Sequence, residues 1–155
     1  MRFISNVGIL ILASVSWPVV AQDTIQRTSI SAEGARSLTR KAVDLAKMRN
    51  LRMCIAVTDA YGQLVTFEKM DGAITGCVDS SIAKARSSAQ FGVATSSFFT
   101  RATKENLPLG FVPGILPAAG GVPVKLDGIV IGAIGVSGGN VETETALAAD
   151  TVIGK

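Results

Sequence analysis

The chain has 155 residues, enough for one domain and too few for a two-domain enzyme. Hydrophobic residues make up 48% of it and charged residues 17%, a balance that excludes an intrinsically disordered chain. The formal net charge is +3 without a run of Lys or Arg, so we expect no nucleic-acid partner. Histidine is absent, which excludes Ser-His-Asp and Cys-His catalysis, imidazole-bound zinc and His-ligated haem.

The N-terminus has the three parts of a secretory signal peptide. Arg2 supplies the positive charge, a short apolar stretch follows, and Val19 and Ala21 occupy the two positions that signal peptidase inspects. The apolar stretch is too short to span a bilayer, which argues against a transmembrane anchor. We therefore predict that residues 1–21 are removed. Residues 22–155 should then form one exported domain, periplasmic or secreted, that does not associate with a membrane.

Hydrophobic periodicity along the mature chain predicts the order α-β-β-α-α-β-β-α. Ser31 and Asn140 are typical N-caps for the first and last helices, and Glu142 and Glu144 place negative charge in the first turn of the last helix. Pro123 should restrict its strand to a sheet edge or a bulge. This order indicates an α+β fold, with an antiparallel sheet flanked by helices. The predicted helices span 32–49, 79–91, 95–106 and a segment after Asn140, the predicted strands span 53–58, 63–70, 119–126 and 129–136, and 107–117 is a predicted loop without regular structure.

The second predicted helix combines small residues with two charges. Ile82, Ala85 and Ala89 should face the sheet, and their generally small size favours close packing. Lys84 and Arg86 are two positions apart and therefore point in different directions. They are either solvated helix charges, or one of them neutralises the carboxylate of a ligand.

Two cysteines, Cys54 and Cys77, leave two interpretations open. Export to an oxidising compartment permits a disulfide between them. Alternatively, Cys54 is a buried inert thiol in an apolar strand and Cys77 is a half-exposed thiol in a polar turn. Their spacing matches neither a metal-binding motif nor a redox Cys-x-x-Cys motif.

The segment Gly135–Gly139 matches the G-x-S-x-G pattern of a nucleophile elbow, but the chain is too short for an α/β-hydrolase and Ser137 has no histidine base. Two other interpretations remain. In the first, the amides of Ser137, Gly138 and Gly139 form a nest that binds an anion. In the second, the glycines only relieve crowding in a tight strand-to-helix connection, and the glutamates that follow already supply negative charge there. A second glycine pair, Gly120–Gly121, is typical of a bulge or a close backbone approach beside that strand.

Separated segments of the chain, in order, resemble the GlcG/HbpS-like family, often described as haem-degrading or haem-binding. They are 55–64 (IAVTDAYGQL), 70–73 (MDGA), 82–86 (IAKAR), and 120–123 with 127–139. The resemblance implies a profilin-like α+β domain that forms compact oligomers, often octamers, and that binds haem in some relatives. Haem sites in relatives can use a histidine, so the axial ligand here would be a hydroxyl, a methionine or a thiol. Excess apolar surface independently favours an even-numbered homo-oligomer.

Two functions from different classes follow. The first is an exported binding protein for haem or a similar planar, carboxylate-bearing molecule, with slow degradation of bound haem as an extension. The second is a small accessory enzyme of a catabolic pathway, an isomerase or a hydrolytic enzyme, that uses the glycine amides as an oxyanion site. No catalytic residue is assigned for the second function.

The first function needs an apolar slot, donors for carboxylates and usually an axial ligand. Phe98, Phe99 and Ile134 would contribute to the slot. Thr95, which we also expect to cap the third helix, would supply a weak axial bond. The predicted ligand-binding residues are Lys84, Thr95, Phe98, Gly121, Val122, Pro123, Ser137, Gly138 and Gly139, and no metal site made of protein ligands is predicted.

Overall fold

The computed structural model describes residues 24–153 and has the order of elements that the sequence predicts. The predicted signal peptide lies outside the described residues. Within residues 24–153, no helix is both long enough and apolar enough to cross a membrane. The helices are α1 (Ala32–Met48), α2 (Cys77–Phe91), α3 (Thr95–Lys104) and α4 (Val141–Val152), and the strands are β1 (Cys54–Asp59), β2 (Leu64–Lys69), β3 (Gly121–Leu126) and β4 (Ile129–Ser137).

These strands form an antiparallel sheet in the order β2-β1-β4-β3. The β1–β2 hairpin turns at Asp59, whose Oδ1 accepts the amides of Tyr61 and Gln63 at 2.8 Å each. The β3–β4 hairpin turns at Asp127–Gly128, where both residues have positive φ. β3 is an edge strand, so the expectation for Pro123 is confirmed. The α+β fold with an antiparallel sheet is likewise confirmed.

The two faces of the sheet differ in the size of their side chains. Ile55 of β1 and Ile134 of β4 are fully buried in the main core, together with Leu38 of α1. On the other face, a Cβ atom at Gly135 would collide with the carbonyl oxygen of Ser81 in α2. α2 therefore lies directly on the backbone of β4, and this close approach brings the side chains of α2 to the end of that strand.

The helix caps predicted at Ser31 and Asn140 are confirmed. Oγ of Ser31 accepts the amide of Gly34 at 3.0 Å at the start of α1. Oδ1 of Asn140 accepts the amide of Thr143 at 2.9 Å at the start of α4, and the Thr143 hydroxyl accepts the Asn140 amide at 3.1 Å. This reciprocal capping box orients the first turn of α4, which contributes to the site described below.

α2 differs from the prediction in its start and in one inward position. It begins at Cys77, two residues before the predicted start. Ala85 and Ala89 are buried as predicted, but Ile82 is only half-buried and Ser81 is fully buried. The stripe that faces the sheet runs through positions four residues apart, including Ser81, Ala85 and Ala89, so Ile82 lies at its margin.

Two predictions about the middle of the chain are wrong. The N-cap of α3 is Ala94 and not Thr95, which is the first helical residue and whose hydroxyl accepts the amide of Gly121. Leu107–Phe111 forms a short 3-10 helix, where a loop without regular structure was predicted. Pro108 is compatible with this helix because the first turn needs no amide donor from it.

Cys54 and Cys77 form a disulfide, which settles the choice between the two interpretations. The bond joins the start of β1 to the start of α2, and both residues are buried, with Phe67 and Val78 packed against them. The cysteines are 23 positions apart. A loop of this length corresponds to about 3 kcal/mol of stabilisation in the chain-entropy account.

Candidate functional site

The structure brings most of the predicted ligand residues to one junction, where α2, β3 and the corner between β4 and α4 meet. Nζ of Lys84 lies 3.3 Å from Oγ of Ser137. A Cβ atom at Gly121 would lie 2.5 Å from the backbone oxygen of Lys84, so the predicted close backbone approach is confirmed. Thr95 joins the junction through its hydroxyl, which accepts the amide of Gly121 at 2.9 Å.

Lys84 is buried in this junction, with a relative exposure of 4%. Its Nζ atom lies 2.6 Å from Oε2 of Glu144 and 3.3 Å from both the Val136 carbonyl oxygen and Oγ of Ser137. These three acceptors match the three protons of an ammonium group. The interpretation of Lys84 as a solvated helix charge is therefore wrong, whereas Arg86 is exposed as that interpretation expects.

The amide nest at the start of α4 contacts a carboxylate from the chain itself. Oε1 of Glu144 accepts the amides of Gly138 at 2.8 Å and Gly139 at 3.1 Å. Glu144 is 7% exposed, and its other oxygen contacts Lys84. The sequence identified Glu144 as a source of negative charge here. It carried no indication of the pairing with Lys84, because 60 positions separate the two residues.

The hydroxyl of Ser137 lies in a polar network that includes the carboxylate of Glu144. It lies 3.1 Å from Oγ of Ser80, 3.3 Å from Oε1 of Glu144 and 3.3 Å from Nζ of Lys84. The carboxylate of Glu144 is already contacted by Nζ of Lys84 and by the amides of Gly138 and Gly139. The arrangement is suited to holding a charge pair in place and not to activating a nucleophile.

Of the predicted apolar and axial residues, Thr95, Phe98 and Ile134 are buried, whereas Phe99 is exposed. Thr95 is fully buried, and Phe98 is 5% exposed, with its ring at 5.5 Å from the Phe91 ring in an edge-to-face contact. Val122 and Pro123 are half-buried on β3, and Val122 packs against the main core. The predicted slot residues are therefore divided between the junction, the Phe91–Phe98 contact and the main core.

An open cleft lies elsewhere, between the second half of α1 and the end of β2. Its volume is about 470 Å³. A smaller adjoining cleft along the same groove shares Val43, Lys47 and Glu68 with it. Sequence reasoning missed this site, because its residues come from three segments and match no motif. The residues that line the larger cleft are Val43, Lys47, Arg52, Glu68, Lys69, Met70 and Asp71.

The cleft is lined by three cationic and two acidic residues, and its apolar lining residues are Val43 and Met70. Within residues 24–153, the charged residues that line the cleft form no ion pair within 4.0 Å. Within the described part of the chain, no three metal-ligating side chains lie together in a cluster. Cationic groups without ion-pair partners are suited to binding a carboxylate.

Comparison with known proteins gives consistent results. A family model described as "Haem degrading protein HbpS-like" matches residues 30–152. Protein GlcG of Escherichia coli (strain K12) is 30% identical over 108 residues, covering 70% of this chain and 81% of that protein. The crystal structure of a double mutant of HbpS from Streptomyces reticuli is similar, with a TM-score of 0.81 and 27% identity, covering 92% of this chain and 99% of that chain.

The fold is also similar to that of a PduOC haem complex. That crystal structure has a TM-score of 0.71 and 24% identity, covering 81% of this chain and 94% of that chain. At this identity, the likeness shows the shared fold alone.

Proposed function

This chain belongs to the HbpS-like family, and on that premise we propose that it is an exported binding protein for a planar, carboxylate-bearing small molecule, with haem as the ligand to test first. The observation that carries the proposal is the open cleft between α1 and β2. It combines two apolar lining residues, Val43 and Met70, with cationic residues that have no ion-pair partner within residues 24–153. The description of the family model supports haem as the first candidate.

The cleft has the size and chemistry that such a ligand needs. Its volume of about 470 Å³ lies within the roughly 300–1,000 Å³ of small-molecule sites. Lys47 and Arg52 line it from α1 and from the segment that follows α1. They would hold the propionates of haem, while Val43 would contact its apolar body. Glu68 and Asp71 limit the net positive charge, which favours a ligand with one or two carboxylates over a polyanion.

Among the axial ligands that the sequence leaves open, a hydroxyl, a methionine or a thiol, we favour the methionine. The thiols are joined in a disulfide, and the hydroxyl of Thr95 is fully buried. The residues that line the cleft include a methionine, Met70, whose relative exposure is 7%. A thioether is a weak ligand for ferric haem compared with imidazole, so the bound iron should be high-spin and readily lost to a competing acceptor.

The alternative, a small accessory enzyme with an oxyanion site in the glycine amides, has less support. An oxyanion would have to displace the carboxylate of Glu144 from Gly138 and Gly139. The Ser137 hydroxyl donates to the same oxygen of Glu144 that those two amides already contact. The binding function does not require Glu144 to move.

A haemin titration of the mature chain, residues 22–155, tests the proposal. We expect a saturable change in the haem absorption spectrum with high-spin ferric features, and loss of haem to serum albumin. Slow degradation would appear as loss of the haem bands in the presence of a reductant and oxygen. A complete absence of haemin binding would remove haem as the ligand, and a low-spin spectrum with two strong ligands would contradict the weak axial bond.

Export and self-association are parts of the same proposal. Val19 and Ala21 support cleavage before residue 22, and intact-mass measurement in a Gram-negative host should find the shortened chain in the periplasm. Phe111 is 82% exposed and Leu107 is 71% exposed, which supports an even-numbered homo-oligomer that covers them. Light scattering should give a multiple of the monomer mass. A full-length monomer would contradict both parts.

A further inference from the structure

The Glu144 side chain sits in its site in the way that a bound carboxylate ligand would. Oε1 accepts the amides of Gly138 and Gly139, and Oε2 lies 2.6 Å from Nζ of Lys84. Both oxygens therefore have partners of the kind that recognise anions. We propose that Lys84, Gly138 and Gly139 form a carboxylate-binding site whose resident ligand is the chain's own Glu144. This proposal rests on the junction alone and is independent of the haem hypothesis.

Burial explains why the site needs an anion. Lys84 is 4% exposed, and its other two partners, the Val136 carbonyl and Ser137 hydroxyl, are neutral. Without the carboxylate of Glu144, the buried ammonium of Lys84 and the amides of Gly138 and Gly139 would lose their negatively charged partner. An empty site should therefore accept a replacement anion of suitable shape.

The walls of the site restrict that replacement to a small monocarboxylate. A Cβ atom at Gly120 would lie 3.2 Å from Cβ of Glu144 and 3.4 Å from Cδ of Lys84, so no space for a larger group exists on that side. The substitution Glu144→Ala removes a methylene and a carboxylate, which together have the shape of an acetate ion. Acetate and formate should fit the resulting cavity, whereas benzoate should not.

In the unaltered protein the site is closed to dissolved carboxylates. Glu144 is held against its donors by the first turn of α4, which Asn140 and Thr143 cap. A tethered group has an effective concentration of about millimolar or more, even with a flexible tether. A dissolved ligand at micromolar concentration does not compete with it. We therefore expect the carboxylates of an external ligand to bind elsewhere on the molecule.

Chemical rescue of Glu144→Ala tests the proposal, with Glu142→Ala as the matched control. Glu142 belongs to the same helical turn but is exposed. Thermal midpoints are measured in chloride, formate, acetate and benzoate at equal ionic strength. Glu144→Ala should melt about 10–20 °C below the parent protein in chloride. Acetate or formate at ten times its Kd should recover about 5 °C.

The Glu142→Ala control and the parent protein should show no difference between acetate and chloride. Adding Lys84→Met to Glu144→Ala should abolish the rescue, because the cation is gone. If Glu144→Ala does not fold in chloride, the yield of refolding from urea in acetate and in chloride is the readout. Equal behaviour of Glu144→Ala in acetate, benzoate and chloride would overturn the proposal, and so would an equal gain for Glu142→Ala.

Discussion

Nζ of Lys84 lies 2.6 Å from Oε2 of Glu144, although 60 positions separate the two residues in the chain. The pair joins the middle of α2 to the first turn of α4 across the end of β4. Both side chains are buried, so the charges are shielded from water and depend on each other. A buried pair of this kind is costly to break from one side only.

Replacing either partner alone should therefore destabilise the protein strongly. Lys84→Met and Glu144→Leu should each lower the free energy of unfolding by about 3–5 kcal/mol, since each leaves an uncompensated buried charge. The double substitution removes both charges and should recover a large part of that loss. Urea unfolding of the four proteins measures the coupling. Losses that simply add in the double variant would show that the two charges are independent.

Gly135 should not tolerate even a methyl group. Gly135→Ala places a Cβ atom against the carbonyl oxygen of Ser81, so α2 would have to move away from the sheet. We expect a loss of about 3 kcal/mol in unfolding free energy. Gly76→Ala is the matched control, because its Cβ would meet nothing within 4 Å and its φ is −67°. Its effect should stay within about 0.5 kcal/mol, and equal losses at both positions would contradict the packing argument.

The disulfide should contribute measurably to stability. Replacing both Cys54 and Cys77 by alanine should lower the free energy of unfolding by about 3 kcal/mol, because the unfolded chain is no longer constrained. Urea unfolding with and without a reductant is the measurement. The reductant should weaken the parent protein and leave the double variant unchanged. An identical response of the two proteins would mean that the bond does not form.

Glu33 gives a prediction about pH. Hydrogen bonds from Arg40 at 3.0 Å and Arg36 at 3.1 Å lower the pKa of Glu33 below its ordinary value of 4.5. Because the folded-state pKa is depressed, the stabilisation is present above pH 4.5 and is lost as the pH falls through the folded-state pKa. The contribution should be small, since the group is exposed. Carboxyl NMR titration should show a higher pKa for Glu33 in the Arg36→Ala/Arg40→Ala variant, and an unchanged value would refute the pairing.

The cleft between α1 and β2 should determine ligand affinity. Lys47→Ala combined with Arg52→Ala removes two cations from its lining and should weaken haemin binding about 10-fold or more, in line with ~1.5–3 kcal/mol for hydrogen bonds to charged groups. Arg101→Ala combined with Lys104→Ala removes the same charge from the exposed last turn of α3. That control should leave the affinity unchanged. A larger loss in the control would place the ligand near α3.

Much of the fold was predictable from local patterns in the sequence. The order of helices and strands, the caps at Ser31 and Asn140 and the edge position of Pro123 were all predicted and are confirmed. The errors were also local. The 3-10 helix at Leu107–Phe111 was missed because the prolines and glycines of 107–117 were taken to exclude regular structure. Pro108 is nevertheless compatible with the helix, because the first turn needs no amide donor at that position.

The candidate site was less predictable from the sequence than the fold was. The glycine pattern at the end of β4 indicated an anion nest, and Glu144 was noted as nearby negative charge. The sequence did not reveal that Lys84 completes the pair, nor that Lys47, Arg52 and Met70 share a cleft. Caps, turns and periodicity depend on residues within a few positions, so the sequence determines them by itself. The charge pair, the disulfide and the cleft join residues from separate elements, and only the packing of those elements decides which faces meet.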